Sequence, residues 1–86
     1  MLMSQEEIED RALGQMMMIE RTYDVKIANR QEVARMISKA IENPRQVLLI
    51  CTSLNSWVAM NGLRGEISIP PSLLERLLAH YGKPKG

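Results

Sequence analysis

Few of the side chains that commonly carry out chemistry occur in this chain, and they are far apart in the sequence. His80 is the only histidine and Cys51 is the only cysteine among 86 residues. A catalytic triad or a histidine-based metal site needs further partners, and the sequence places none close to His80. Cys51 lies within an apolar segment, where a thiol typically packs as a small hydrophobic group. We therefore expect neither residue to act in catalysis.

The acidic residues and the glycines also lack the pattern of a ligand site. Residues 6–10 contain four carboxylates, but these lie at the start of a predicted helix, where negative charge is favourable without a bound cation. Gly62 and Gly65 are not followed by the Lys and Ser or Thr of a phosphate-binding loop. The sequence thus predicts a protein that is not an enzyme and that has no metal site and no cofactor.

Basic side chains form a loose group in the middle of the chain. The candidates for a nucleic-acid-binding surface are Arg30, Arg35, Lys39, Arg45 and Arg64. Arg35 and Lys39 are four residues apart, so they share one face of a helix. The net charge is only +1, which disfavours a protein whose main role is to coat nucleic acid or an anionic membrane. A small dimeric DNA-binding transcriptional regulator is therefore the alternative function.

Methionine is abundant, and its placement suggests a binding surface. Seven of the 86 residues are Met, and Met16, Met17 and Met18 are consecutive. Successive helical residues turn by about 100°, so these three side chains cannot all face one core. Flexible Met side chains adapt well to a partner surface. We predict a small regulatory or adaptor protein that binds another protein through Leu2, Met3, Met16, Met17 and Met18.

Composition also indicates the compartment and the assembly. One cysteine excludes an internal disulfide and fits a reducing compartment. The acidic N-terminal segment lacks the features of a signal peptide, and no apolar run reaches the ~18 residues needed to span a bilayer. We expect a soluble, cytoplasmic protein. A chain this short buries only a marginal core, and the flexible Met side chains in it do not fix a unique packing. Such a chain often completes its core by oligomerising, so we predict a homodimer.

The longest apolar segment, residues 43–63, decides the fold. As a helix it begins with Asn43 as N-cap and Pro44 at the first helical position, with Gln46 placed to complete a capping box. It ends at Gly62, which can adopt a left-handed conformation. As strands, residues 46–52, 56–61 and 66–69 would form an antiparallel meander in an α+β fold. The cap signals at both ends favour the helix.

The remaining segments predict a mostly α fold with about four helices. Each further helix starts with a capping-box pattern, at Ser4, Asn29 and Ser72. Two short segments, 24–28 and 66–69, alternate apolar and polar residues and could pair as strands. We expect one compact domain over residues 1–82 and a frayed basic tail over 83–86. The predicted helices span residues 4–22, 30–42, 44–61 and 72–81.

One short motif has a counterpart in a known family. Residues 65–70, GEISIP, and the helix that follows resemble the G-x-I-x-I-P strand-to-helix step of AbrB-type swapped-hairpin DNA-binding domains. The resemblance covers about a dozen of the 86 residues, and Glu66 stands where a basic residue would be expected. It implies a small obligate dimer with basic loops, which accords with the DNA-binding alternative. We assign no family from a motif this short.

Overall fold

The computed structural model describes residues 3–82 and confirms a mostly helical bundle with two short strands. Leu2 and the predicted tail, 83–86, lie outside the described residues. The molecule measures 38 × 21 × 18 Å. In chain order the elements are α1 (Gln5–Tyr23), β1 (Val25–Ile27), α2 (Arg30–Ala40), α3 (Pro44–Met60), β2 (Gly65–Ile67) and α4 (Pro71–Tyr81).

The apolar segment forms one continuous helix, α3, so the alternative meander is wrong. The Asn43 side chain accepts a hydrogen bond from the backbone N–H of Arg45 at 2.8 Å, and Pro44 occupies the first turn. Gly62 follows the helix with φ of +59°, the left-handed conformation that glycine adopts without steric cost. Local cap chemistry at both ends therefore outweighs the β-branched residues in between.

The core lies where α1 packs against both α2 and α3. From α1, the buried residues follow helical spacing at Ile8, Ala12, Met16 and Ile19. Facing them are Val33, Ala34 and Ile37 of α2 and Val47, Ile50, Cys51, Leu54 and Val58 of α3. Every large, fully buried side chain in residues 3–82 is aliphatic or sulfur-containing, which accords with a sequence that has one Trp, two Tyr and no Phe.

The two predicted extended segments pair as a parallel two-stranded sheet. Val25 lies opposite Gly65, and Ile27 lies opposite Ile67. Beyond the last paired residues, the Asn29 side chain makes the hydrogen bonds that a strand backbone would make. Its Nδ2 donates to the Ile69 carbonyl, and the Ile69 N–H donates to its Oδ1. Asn29 therefore makes no side-chain bond to its own helix, and the capping box predicted there is absent.

The other cap predictions have mixed outcomes. Ser4 and Glu7 form the full reciprocal capping box. At the end of the chain, α4 starts at Pro71, one residue earlier than expected, and Ser72 makes no cap bond. Gln46 does not complete the Asn43 box, because its side-chain amide donates to the carbonyls of Tyr81 and Gly82. It thereby holds the C-terminal end of α4 against α3.

The AbrB-type resemblance does not extend to the fold. A helix, α3, precedes β2, and β2 pairs in parallel with β1. A swapped hairpin requires antiparallel strands joined by a short turn, and the two strands here are separated by two helices.

Candidate protein-binding face

The three consecutive methionines point in different directions, as their spacing predicts. Met16 is fully buried in the core, whereas Met17 is 44% exposed and Met18 is 57% exposed. Met16 is therefore not a surface contact residue, because its side chain already fills the space between α1 and the other helices. Met3 is partly buried against the core, and its N–H donates to the carbonyl of Glu42.

Met17 and Met18 lie on opposite sides of the exposed part of α1. Met17 sits beside Glu20, Arg21 and Lys26, in a charged setting. Met18 borders the groove between α1 and α3, next to Thr52 and Asn55. The structure thus divides the predicted methionine patch, and only Met18 adjoins an uncharged surface.

The groove continues along the whole α1–α3 contact. Gln15 and Thr22 of α1 connect its three sections. Arg11 and Arg45 lie at one end, and Asp24 and Arg64 lie at the other. Between these ends the lining residues carry no charge, and they include both polar side chains such as Gln15 and apolar ones such as Met18.

The outer side of α3 carries no charge over most of its length. No Asp, Glu, Lys or Arg occurs between Arg45 and Arg64. Leu48 is 53% exposed, Leu49 is 42% exposed and Met60 is 86% exposed. At about 100° per residue, the exposed residues of α3 fall on one arc opposite the buried stripe: Arg45 in the first turn, followed by six uncharged residues. We name these six residues the α3 face; it consists of Leu48, Leu49, Thr52, Ser56, Ala59 and Met60.

The other helices differ from α3 in this respect. The exposed side of α2 includes Glu32, Arg35 and Lys39, and that of α4 includes Glu75 and Arg76. The contact residues predicted from the sequence do not include the α3 face, because the apolar segment was used only to decide between a helix and strands. The signal that could have revealed it is the 18-residue gap without charge, since only about half of a helix surface can face a core.

The structure does not assemble the predicted basic residues into one patch. The guanidinium of Arg30 pairs with the Glu20 carboxylate, with Nη1 and Oε1 2.6 Å apart. The same carboxylate accepts the backbone N–H of Ile27, so Arg30 helps to fix the α1–β1 junction. Arg35 and Lys39 are exposed on α2, whereas Arg45 and Arg64 lie at opposite ends of the groove.

Neither Cys51 nor His80 occupies a reactive setting. Cys51 is buried, and desolvation raises the pKa of its thiol to about 12, so the nucleophilic thiolate is scarce at neutral pH. His80 is exposed, and its ring packs edge-on against Tyr81. Within residues 3–82, no three His, Cys, Asp or Glu side chains are grouped to hold a metal ion.

In the described part of the chain, none of the helices is both long enough and apolar enough to cross a membrane. Comparison of the sequence with family models and with curated proteins, and of the structure with solved structures, found no match. We therefore infer the function from the geometry of this chain alone.

Proposed function

We propose that this chain is a small, non-enzymatic regulatory or adaptor protein that acts in the cytoplasm by binding protein. The α3 face carries this proposal. It combines Leu48, Leu49 and Met60 with small side chains and has no charge between Arg45 and Arg64. The buried free thiol of Cys51 is compatible with a reducing compartment.

Exposure of this face has a free-energy cost that a partner would remove. Burial of apolar surface contributes about 25 cal/mol per Å². A single exposed Leu or Met is ordinary on a protein surface. Three of them along one helix face, with no charged residue between them, present apolar surface that a partner could bury. The small residues Thr52, Ser56 and Ala59 would let a partner helix approach α3 closely, because they present little side-chain bulk between the large residues.

Nucleic-acid binding has weaker support. A phosphate-binding surface needs several free basic side chains on one face. Arg30 is neutralised by Glu20, and the other four basic candidates are divided between α2 and the two ends of the groove. We therefore do not propose DNA binding as the function. The experiment described next includes a result that would favour it over protein binding.

A capture experiment with two matched variants tests the proposed function. Ala59 and Ala79 are both exposed near the C-terminal end of a helix, but only Ala59 belongs to the α3 face. Host proteins are captured on the immobilised chain and washed at about 1 M salt, where charge–charge contacts are screened. We expect a retained protein to bind the unchanged chain and Ala79→Glu but not Ala59→Glu.

Two results would contradict the proposal. Equal capture by Ala59→Glu and the unchanged chain would place the contact outside the α3 face. Binding of duplex DNA that falls steeply with salt would favour the nucleic-acid alternative, since phosphate contacts release counterions. Circular dichroism of all three proteins checks that each variant retains its helices.

A further inference from the structure

We infer that the α3 face binds a second copy of this chain, with the two α3 helices antiparallel across a twofold axis. This inference rests on the proposed function, and it identifies a second copy of the chain as the protein that the α3 face binds. In a twofold (isologous) contact the same surface occurs on both sides, so the surface must be complementary to itself. The α3 face meets this requirement in both shape and charge.

The spacing of large and small residues is self-complementary. We place the twofold axis level with Leu54, in the middle of α3. Each residue before Leu54 then faces the partner's residue that lies equally far after Leu54. Small residues then meet near the axis, where two crossing helices come closest, and the large residues Leu48 and Met60 meet towards the ends, where the helices diverge. The facing pairs are Leu48 with the partner's Met60, Leu49 with the partner's Ala59, and Thr52 with the partner's Ser56.

Charge also favours this arrangement. A twofold contact places many residues close to their own copies, so a charged face would repel itself or bury unpaired ions. The α3 face has no charge to bury. Arg45 lies in the first turn of its own helix, where the dipole is unfavourable to a cation. Antiparallel pairing would bring it to the C-terminal end of the partner's α3, where the helix dipole favours a cation and where Asp24 lies beside Arg64 to balance the added charge.

The area needed favours a whole second chain over a single peptide helix. The 17 residues of α3 form a rod about 25 Å long and 10 Å wide, with a footprint of roughly 250 Å². A stable interface buries about 800 Å² on each partner, about a seventh of the 5711 Å² of this chain. A second copy contributes α1 and α3 together, and Met18 extends the contact across the groove.

Solution mass tests the inference directly. At about 100 µM we expect the unchanged chain to have twice the 9.8 kDa mass of one chain. Ala59→Glu should raise the dimer dissociation constant by about a hundredfold or more, because each subunit would bury an unpaired carboxylate. Ala79→Glu should leave the constant within about twofold of the original, since surface substitutions elsewhere change little.

Cross-linking tests the antiparallel direction without relying on a charged variant. Leu48 and Met60 are twelve residues apart, or about 18 Å along the helix. Chains carrying Leu48→Cys and chains carrying Met60→Cys should form a disulfide with each other when mixed and oxidised. Neither should form one efficiently alone, because a disulfide needs Cα atoms within about 7 Å.

The outcomes separate the two levels of the proposal. A single-chain mass for the unchanged protein would overturn the homodimer, whereas capture of another protein that Ala59→Glu abolishes would still support protein binding. A dimer that Ala59→Glu leaves intact would overturn the α3 contact. Efficient cross-linking of Leu48→Cys with itself would overturn the antiparallel direction. A twofold mass, its loss in Ala59→Glu and the mixed disulfide together would support the inference.

Discussion

The Asn29 side chain binds both backbone groups of Ile69, forty residues further along the chain. Each of the two hydrogen bonds is 2.9 Å long. Ile69 is only 1% exposed, so water cannot readily replace this partner. The Asn29 amide thus acts as one more rung of the parallel ladder, after Ala28 has donated its N–H to the carbonyl of Ile67. It fixes the chain between β2 and α4 against the start of α2.

Loss of this amide should destabilise the fold. Asn29→Ala leaves two backbone groups of Ile69 without partners, and we expect the free energy of unfolding to fall by about 2 kcal/mol. Asn61→Ala is the matched control, because Asn61 is exposed and its amide bonds only within its own helix end. That control should change stability by about 0.5 kcal/mol or less. Urea unfolding followed by circular dichroism measures both; equal effects would contradict the role assigned to Asn29.

Two glycines should respond to alanine in opposite directions. Gly14 lies within α1, and an added Cβ would have no heavy atom within 4 Å. Gly14→Ala should therefore stabilise the protein by about 0.5–1 kcal/mol through helix propensity. Gly62 has equal space but a φ of +59°, so Gly62→Ala should cost about 1–2 kcal/mol. Thermal unfolding of both variants checks the signs, and a stabilising Gly62→Ala would contradict the left-handed turn.

Burial of Cys51 predicts a loss of stability at alkaline pH. Its pKa is about 12 in the folded chain against a reference value of 9.0. Below pH 9 the Cys51 thiol is protonated in both the folded and the unfolded chain, so its contribution to the free energy of unfolding is fully present. Between about pH 9 and 12 only the unfolded thiol ionises, so unfolding should become easier by up to about 1.4 kcal/mol per pH unit.

Cys51→Ala is the control for this pH dependence, since it removes the thiol and leaves every other ionisable group in place. Urea unfolding of both proteins at pH 8 and about pH 10.5 measures the difference. We expect the unchanged chain to lose more stability than the variant over this interval. Parallel losses would show that Cys51 ionises as readily in the folded chain as in the unfolded one.

The two exposed methionines of α1 should differ in their effect on self-association. Met18 borders the uncharged groove beside α3, whereas Met17 lies among charged side chains on the other side. Met18→Asp should weaken the dimer by about tenfold, because a rim position buries a new charge only in part. Met17→Asp should have little effect. Light scattering over a dilution series gives the dimer dissociation constant of each variant. A larger effect at Met17 would support the methionine contact surface predicted from the sequence instead of the α3 face.

The sequence by itself determined the secondary structure. Caps and helix-ending residues are local signals, because they act within one turn of the chain. Ser4, Asn43 and Gly62 therefore mark helix ends correctly, and apolar periodicity identifies most of the core. The same local pattern also shows that three consecutive Met residues cannot share one core.

Tertiary structure decided what each polar side chain binds and which apolar side chains face outward. Asn29 and Gln46 have the local pattern of helix caps, but partners 40 and 35 residues away hold their amides. A local sequence pattern cannot show which residues so far apart in the chain come together in the fold. Leu48, Leu49 and Met60 belong to the same apolar segment as the buried residues of α3, yet they are exposed, because α1 covers only one side of that helix. The α3 face exists because the described chain has no further element to cover the other side, a property of packing and not of local sequence.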